Sequence, residues 1–367
     1  MENIGKYKKI GVWNTAFLGD AILTLPLLQT LRNAYPQAEI DFWVRKGAGS
    51  LFASHPALNH VYEYDKRGAD KGFVHLCRLG RALRRARYNL WIGAHASIRS
   101  ALLACLGGAQ MRIGYSAPLC NALFYTHRVP RRFAELEEIE RLHQLLSPLA
   151  LPEQVLSSWP EIVLPGEAHN AAKQFWEQIG ANGDVPVMGI HPGSTWGTKR
   201  WPAEFFADIA ARAANEGVRV LLFADSGETA LAKKVENLAW EKMPPAAREN
   251  IFNLAGKLSL TVLAAYLGRL TVYLTNDSGP MHLAWAQKTP VTALFGPTAR
   301  RLGFYPRGET ATVMELPLPC RPCGLHGPQT CPLGSHECMR GISPEAVWSD
   351  VEKKLSGSRT KNAPQSA

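Results

Sequence analysis

The sequence predicts an α/β protein with two Rossmann-like domains. Strand-like apolar runs alternate with longer amphipathic stretches, which is the pattern of parallel βαβ units. The alternation occurs in two series, separated by a proline-rich stretch at residues 148–165. The chain has 367 residues, enough for two domains of ordinary size. We therefore expect domains at residues 1–165 and 166–355, with the linker at 148–165 and a disordered tail at 356–367.

The elements of each series follow from their hydrophobic periodicity. The first series is predicted to contain strands at residues 10–13, 40–44 and 90–92 and helices at 20–35, 73–87 and 97–106. The second is predicted to contain strands at 187–190, 218–223, 272–274 and 291–295, with helices beginning near residues 202, 229 and 279. Folds of this class bind ligands beyond the carboxyl ends of their strands, so the loops there carry the candidate site.

The composition excludes several classes of protein. Hydrophobic residues make up 46% of the chain and charged residues 20%, which does not fit disordered, collagenous or coiled-coil sequences. No apolar run approaches the roughly 20 residues that cross a bilayer. Lys6, Lys8 and Lys9 precede an apolar stretch, as in a signal peptide, but Asn14 and Asp20 interrupt it. We expect a buried first strand and a cytoplasmic protein.

The formal net charge is +10, and the excess lies in the first half, where residues 1–165 hold 20 Lys and Arg against 13 Asp and Glu. Two clusters account for much of it. The first comprises Lys66, Arg67, Lys71, Arg78, Arg81, Arg84, Arg85 and Arg87, and the second Arg128, Arg131 and Arg132. Such clusters favour a polyanion, which is a nucleic acid, an anionic membrane or a phosphorylated acceptor. The alternative is a solvated helix face.

The loop at residues 13–20 leads from the first strand into a helix. It is not a phosphate-binding P-loop, because it has no Gly-Lys-Ser/Thr and ends on an acid. Gly19 permits a tight turn, and Asp20 stands at a helix N-terminus, where the dipole favours the carboxylate. Asp20 is either a helix cap or a catalytic base.

Two further loops have the chemistry of anion sites. In the loop at 191–202, Ser194, Thr195 and Thr198 accompany Lys199 and Arg200, a set suited to a diphosphate, although a polar surface loop is the alternative.

The loop at 275–282 places Ser278 and Gly279 at a helix N-terminus with His282 in the first turn, which makes a second anion cradle or a capping motif. Glu228 follows the strand at 218–223, where an acid binds ribose hydroxyls or favours a helix start.

Together these loops resemble the motifs of glycosyltransferase family 9, the ADP-heptose:lipopolysaccharide heptosyltransferases, and most closely the heptosyltransferase II branch. The resemblance rests on the Gly19-Asp20 loop and on the runs His191-Pro192-Gly193, Lys199-Arg200-Trp201-Pro202 and Thr275-Asn276-Asp277-Ser278-Gly279-Pro280-Met281-His282. It covers residues 10–355. The three motifs occur in the family's order, which makes the resemblance specific.

The resemblance implies a GT-B fold, two Rossmann-like domains facing a central cleft, with the acceptor bound by the first and the donor mainly by the second. It implies inverting transfer of heptose from ADP-heptose to the lipopolysaccharide inner core, with Kdo-lipid A or heptosyl-Kdo-lipid A as acceptor. Asp20 would be the general base and Lys199 the cation on the diphosphate. The remaining donor contacts would be Ser194 and Thr195 on phosphate, Glu228 on ribose, Asp277 on heptose hydroxyls, and Ser278, Gly279 and His282 around the phosphates.

The basic residues are the candidate acceptor contacts, because a phosphorylated inner core is strongly anionic. The candidates are Arg81, Arg84, Arg85, Arg128, Arg131 and Arg132. We expect peripheral contact with the cytoplasmic face of the inner membrane. No helix-turn-helix, RRM or aromatic-interleaved pattern accompanies the clusters, so a nucleic-acid partner is not expected.

No cofactor and no metal are expected, since the sequence contains no Asp-x-Asp pair to hold a metal on the diphosphate. Lys199 and helix N-termini would neutralise the departing ADP instead. The alternatives are a GT-B enzyme that uses another nucleotide sugar or acceptor, and a nucleotide-sugar epimerase.

Four cysteines lie within 19 residues: Cys320, Cys323, Cys331 and Cys338. Their spacing is compatible with a small zinc site. Reduced thiols that pack or line the cleft are a second interpretation, and disulfides a third, which a cytoplasmic setting disfavours.

Overall fold

The computed structural model describes residues 6–66, 68, 70–181, 183 and 185–361. The chain divides into two compact units, Met1–Leu164 and Pro165–Ala367. Each unit has its own six-stranded parallel sheet.

The first unit alternates strands and helices as far as its fifth strand. Its elements are β1 (Lys9–Asn14), α1 (Leu18–Leu23), α2 (Leu25–Ala34), β2 (Glu39–Arg45), α3 (Gly49–Phe52), β3 (His60–Tyr64), α4 (Phe73–Ala86), β4 (Leu90–Gly93), α5 (Ile98–Gly107), β5 (Met111–Tyr115), β6 (His127–Val129) and α6 (Glu138–Gln144).

The strand order of the first sheet is β3-β2-β1-β4-β5-β6, with every pair parallel. This is the order of the Rossmann fold, in which the chain reverses direction across the sheet between β1 and β4. Apart from Lys9 at the start of β1, the central strands β1 and β4 are buried, because their residues face helices on both sides of the sheet. Loops that follow β1 and β4 therefore border the position where such folds bind ligands.

The second unit repeats the plan. Its elements are α7 (Gly166–Gln178), β7 (Val187–His191), α8 (Ala203–Asn215), β8 (Arg219–Leu222), α9 (Thr229–Trp240), β9 (Ile251–Asn253), α10 (Leu260–Leu267), β10 (Val272–Asn276), α11 (Gly279–Ala286), β11 (Val291–Leu294), β12 (Ala311–Met314), α12 (Glu337–Arg340) and α13 (Pro344–Lys361).

The second sheet has the order β12-β11-β10-β7-β8-β9, again entirely parallel. When the strands are numbered within the unit, this is the same Rossmann order. The chain reverses direction across the sheet between β7 and β10. The core that packs α8 and α13 against this sheet is built largely of alanine, valine and leucine. The predicted α/β class with two Rossmann-like units is confirmed.

Two predicted elements differ from the structure. The helix predicted at 20–35 is two helices, because the Thr24 hydroxyl bonds the Asp20 carbonyl at 2.8 Å and Pro26, which has no N–H, lies in the first turn of α2. The tail predicted to be disordered from Ser356 continues α13 to Lys361, since extending a helix that is already packed costs little. Residues 362–367 lie outside the described residues. Among the described residues, no helix is long and apolar enough to cross a membrane.

Candidate active site

Asp20 lies in the first turn of α1, directly beyond β1. Its carboxylate oxygen Oδ2 accepts the Phe17 N–H at 3.0 Å, so the side chain does cap the helix start. The Asn14 side-chain amide donates to the Asp20 carbonyl at 3.2 Å and thereby fixes the loop against the end of the strand. The capping interpretation and the base interpretation are compatible, because a carboxylate can accept several hydrogen bonds.

The electrostatic surroundings of Asp20 suit a base. Desolvation and the nearby Glu138 carboxylate raise the pKa of Asp20 to about 6, against the opposing effects of the Phe17 N–H and Arg131. Glu138 is itself buried between two guanidinium groups, with Arg131 Nη2 at 2.7 Å and Arg141 Nη1 at 2.8 Å. The carboxylate of Asp20 is therefore basic enough to accept a proton near neutral pH.

His95 is a further candidate site residue, which the sequence pattern did not single out. It follows β4, the strand beside β1, so it reaches the same edge of the sheet as Asp20. Its Nδ1 is buried and has no hydrogen-bond partner within the part of the chain that the structure describes. Burial, Lys66 and Arg131 lower the pKa of His95 to about 4, so the imidazole is neutral at pH 7. The available sequence signal was a polar residue just beyond a fully apolar strand.

In the second unit, Lys199 and Asp277 form a buried ion pair with 2.6 Å between Lys199 Nζ and Asp277 Oδ2. Lys199 comes from the loop after β7 and Asp277 from the end of β10, the two strands at which the sheet order reverses. The hydroxyl of Thr298, beyond β11, donates to the same Asp277 oxygen at 2.6 Å. Both predicted residues are thus brought together, and Thr298 is an additional member that the sequence analysis did not identify.

The cysteine-containing segment at 315–342 supports this pair. The buried Arg321 guanidinium donates to the carbonyl oxygens of Thr298 at 2.6 Å and Phe295 at 3.0 Å. On the other loop, the His336 ring nitrogen Nε2 lies 2.7 Å from the Thr198 carbonyl oxygen. The segment is therefore hydrogen-bonded both to the loop that carries Lys199 and to the loop that carries Thr298.

Glu228 lies beyond β8 at the N-cap position of α9, where its side chain makes no capping hydrogen bond. Its Oε1 accepts from Arg200 Nη2 at 2.9 Å, while Arg200 Nε donates to the Ser194 carbonyl at 2.9 Å. Burial and Asp225 raise the pKa of Glu228, opposed by Arg200 and the Ser194 N–H. A Cβ at Gly193 would overlap the Glu228 carboxylate, so only glycine permits this approach.

The remaining donor-site candidates lie close to these groups. Ser194 is buried, whereas Thr195 is exposed and its carbonyl accepts the Gln329 side-chain amide at 3.1 Å. Ser278 is the N-cap of α11, and its side chain makes no capping hydrogen bond.

The first turn of α11 begins at Gly279 and contains the buried His282, whose Nδ1 has no partner among the described residues. Burial lowers the pKa of His282 to about 4, with Lys199 acting in the same direction and Asp277 against it. A helix start with unbonded N–H groups, a neutral imidazole and Lys199 form an arrangement suited to a phosphate group.

The predicted acceptor residues divide into exposed and paired groups. Arg81, Arg84 and Arg85 are exposed on α4, and Arg128 is exposed on β6. Arg131 pairs with the buried Glu138, and Arg132 Nε lies 3.4 Å from Glu135 Oε2. Arg67 lies outside the described residues.

The four clustered cysteines are separate, unpaired thiols in the structure. Among the described residues, these sulfur atoms are not close enough together to act jointly as zinc ligands. None of the four cysteines forms a disulfide. Cys323 Sγ donates instead to the Cys320 carbonyl at 3.4 Å. Cys338 packs against Gly296, and burial raises the pKa of its thiol to about 11.

Comparison with known proteins decides the family. The model of glycosyltransferase family 9 (heptosyltransferase) matches residues 76–329. The chain belongs to this family. The resemblance drawn from the three loops is confirmed, and with it the prediction of a glycosyltransferase.

The similarity to known proteins covers almost the whole length of this chain. Lipopolysaccharide heptosyltransferase 2 of Escherichia coli strain K12 is 28% identical over 364 residues, which cover 95% of this chain and 98% of the relative. The solved structure of E. coli ADP-heptose lps heptosyltransferase II is 25% identical with a TM-score of 0.75, covering 95% of this chain and 99% of that one. A glycosyl transferase family 9 structure from Veillonella parvula shares the fold, with a TM-score of 0.83, 24% identity and coverage of 95% and 98%.

Proposed function

We propose that this glycosyltransferase moves a heptose from ADP-heptose to the inner core of lipopolysaccharide, with inversion at the anomeric carbon. The observation that carries the proposal is the buried Lys199–Asp277 pair beside the start of α11 and the neutral His282, in a chain of the heptosyltransferase family. Residues 166–355 would bind the donor and residues 1–165 the acceptor.

On the donor side, the diphosphate would lie against Lys199, the N–H groups at the start of α11 and the Ser194 loop. Asp277 would hold heptose hydroxyls, and Glu228 the ribose. Because ADP gains negative charge as it leaves, a fixed ammonium and helix N–H groups stabilise the transition state more than the ground state. The sequence holds no Asp-x-Asp pair for a metal, so these groups would carry that stabilisation.

On the acceptor side, the Asp20 carboxylate would take the proton of the acceptor hydroxyl as its oxygen bonds to the anomeric carbon. The bond from that carbon to the ADP oxygen breaks, and ADP leaves with the electron pair. His95 would form one hydrogen bond with a neighbouring hydroxyl of the sugar acceptor. Its neutral ring has an unpartnered Nδ1, which can donate or accept according to the tautomer.

The acceptor would be Kdo-lipid A or heptosyl-Kdo-lipid A, met at the cytoplasmic face of the inner membrane. The exposed cations on α4 and Arg128 support a phosphorylated, anionic acceptor.

The experiment is to incubate the protein with ADP-heptose and truncated core acceptors, to identify the product by mass and to assign its anomeric configuration by NMR. We expect one added heptosyl unit with an inverted anomeric configuration. Other nucleotide sugars serve as donor controls. Transfer from a different nucleotide sugar, or isomerisation of the donor without an acceptor, would replace the proposal with one of the alternative GT-B activities.

A further inference from the structure

The turn Leu119–Leu123, between β5 and β6, holds two leucines in solvent. Leu119 is 91% exposed and Leu123 78% exposed. Asn121 between them is buried, and its side-chain amide donates to the carbonyl oxygens of Tyr115 at 2.8 Å and Ala117 at 3.0 Å. These bonds fix the turn, so the leucines cannot turn inward to escape water.

Other exposed apolar residues follow neighbouring strands of the same sheet. Phe73 and Val74, 71% and 69% exposed, begin α4 after β3, and Ile98 begins α5 after β4. Because the strands are parallel, these helix starts lie at the same edge as the Leu119–Leu123 turn. The helices also connect them, since α4 packs against α5 and α5 against the turn. Large apolar side chains at one edge mark an interaction surface.

The same region of the unit carries positive charge. Arg128 lies on β6, opposite Gly114 of β5, the strand that leads into the turn. The exposed arginines on this side are Arg78, in the second turn of α4, and Arg128. Arg84 and Arg85 belong to the last turn of α4, which runs toward the opposite edge of the sheet. Guanidinium groups therefore lie on the same side of the unit as the exposed apolar side chains.

We propose that Leu119 and Leu123 insert into an anionic phospholipid bilayer while the exposed arginines on this side contact its headgroups. A bilayer offers hydrocarbon to the leucines and negative charge to the cations within one surface. A second copy of the chain would oppose cations to cations, which disfavours self-association through this face.

The orientation suits the proposed function, on which this step rests. Asp20 follows β1 and therefore lies at the same edge of the sheet as the turn. A bilayer held at that edge would present the sugars of a lipid-anchored acceptor on the side of the sheet that carries the base.

The test compares binding to vesicles of equimolar phosphatidylglycerol and phosphatidylethanolamine by co-sedimentation. The variant L119S/L123S should bind at least about tenfold more weakly than the native protein, because two leucines no longer leave water. The control L156S/L333S replaces leucines that are 48% and 69% exposed elsewhere on the chain and should bind like the native protein. Transfer to a short soluble acceptor should be equal in all three proteins.

Equal vesicle binding by native protein and L119S/L123S would overturn the proposal. So would a concentration-dependent dimer, seen by sedimentation, that only L119S/L123S abolishes, because the face would then bind a second copy. If the leucines are needed for vesicle binding but no heptose is transferred to any acceptor, the membrane surface stands and the proposed function fails.

Discussion

At the scale of single residues, Asp20 combines a helix cap with a proton acceptor. Replacing it by Asn keeps an oxygen for the Phe17 N–H but removes the basic carboxylate. We expect D20N to lower kcat by roughly 10²- to 10⁴-fold, the contribution of a general base, with ADP affinity close to native. Its Tm at neutral pH should be equal to or above native, because Asn carries no buried charge. Initial rates and calorimetry measure these quantities. Near-native turnover would show that Asp20 is only a cap.

The pH dependence follows from the raised pKa of Asp20. The carboxylate is the active form, so kcat/KM should fall as the pH drops through about 6. The same shift affects stability. Between about pH 4 and 6 the folded state binds this proton more tightly than the unfolded state, so the Asp20 contribution to the free energy of unfolding decreases as pH rises. D20N should lose that slope, and an unchanged slope would assign it to other groups.

Thr298 offers a test of how the donor site is positioned. T298V removes the hydroxyl that donates to Asp277, so the carboxylate can reorient and Lys199 loses its fixed position. A hydrogen bond to a charged group is worth about 1.5–3 kcal/mol, so kcat/KM for ADP-heptose should fall roughly 10- to 100-fold.

The matched control is T292V. Thr292 donates to Asp350 at 2.6 Å, and Asp350 pairs with Lys354, which is the same chemistry outside the loops of the donor site. Both variants should lose similar stability in urea, while only T298V changes the donor constants. Equal kinetics in the two variants would reduce Thr298 to a packing role.

At the scale of elements, the Lys199 ammonium and the N-terminus of α11 are proposed to neutralise the charge of the departing ADP, which a metal ion does in other enzymes. K199A should raise the KM for ADP-heptose and lower kcat together, because the contact strengthens as ADP departs. Native turnover should persist in excess EDTA, and added Mg²⁺ should not restore K199A. Loss of native activity in EDTA would contradict the metal-free donor site.

The candidate site was predictable where its chemistry follows a buried strand. Asp20, Lys199 and Asp277 follow β1, β7 and β10, which apolar runs reveal, and the Rossmann order brings such strand ends to the centre of a sheet. The local sequence was therefore sufficient to predict both these residues and their approximate positions in the fold.

The supporting residues were not predictable in the same way. Arg321 reaches the Thr298 carbonyl across 23 positions of chain, and the contact depends on how the cysteine segment packs. The strand β3 was missed because most of its residues are exposed and show no apolar alternation. Burial of Glu138 between two arginines likewise depends on tertiary packing, because each of these residues resembles a surface charge in sequence.

At the scale of the whole molecule, the positive charge is unequally divided. The first unit holds 20 Lys and Arg against 13 Asp and Glu, and the second 21 against 18. Exposed arginines on α4 account for part of the excess. If the first unit binds an anionic acceptor at a membrane, removing these charges should affect the embedded acceptor and leave the donor unaffected.

The variant R81Q/R84Q/R85Q tests this division. Each cation near an anionic surface contributes about 1 kcal/mol, so affinity for anionic vesicles at low salt should fall by roughly a hundredfold. The KM for a membrane-embedded acceptor should rise accordingly, while the KM for a short soluble acceptor changes little and that for ADP-heptose stays constant.

The control K173Q/K234Q/K257Q removes the same charge from exposed positions of the second unit and should leave vesicle binding native. Equal effects of the two triple variants would make net charge, rather than the face of α4, the determinant of acceptor recognition. A salt-dependent affinity for DNA or RNA that only R81Q/R84Q/R85Q abolishes would identify a nucleic acid as the partner of this face.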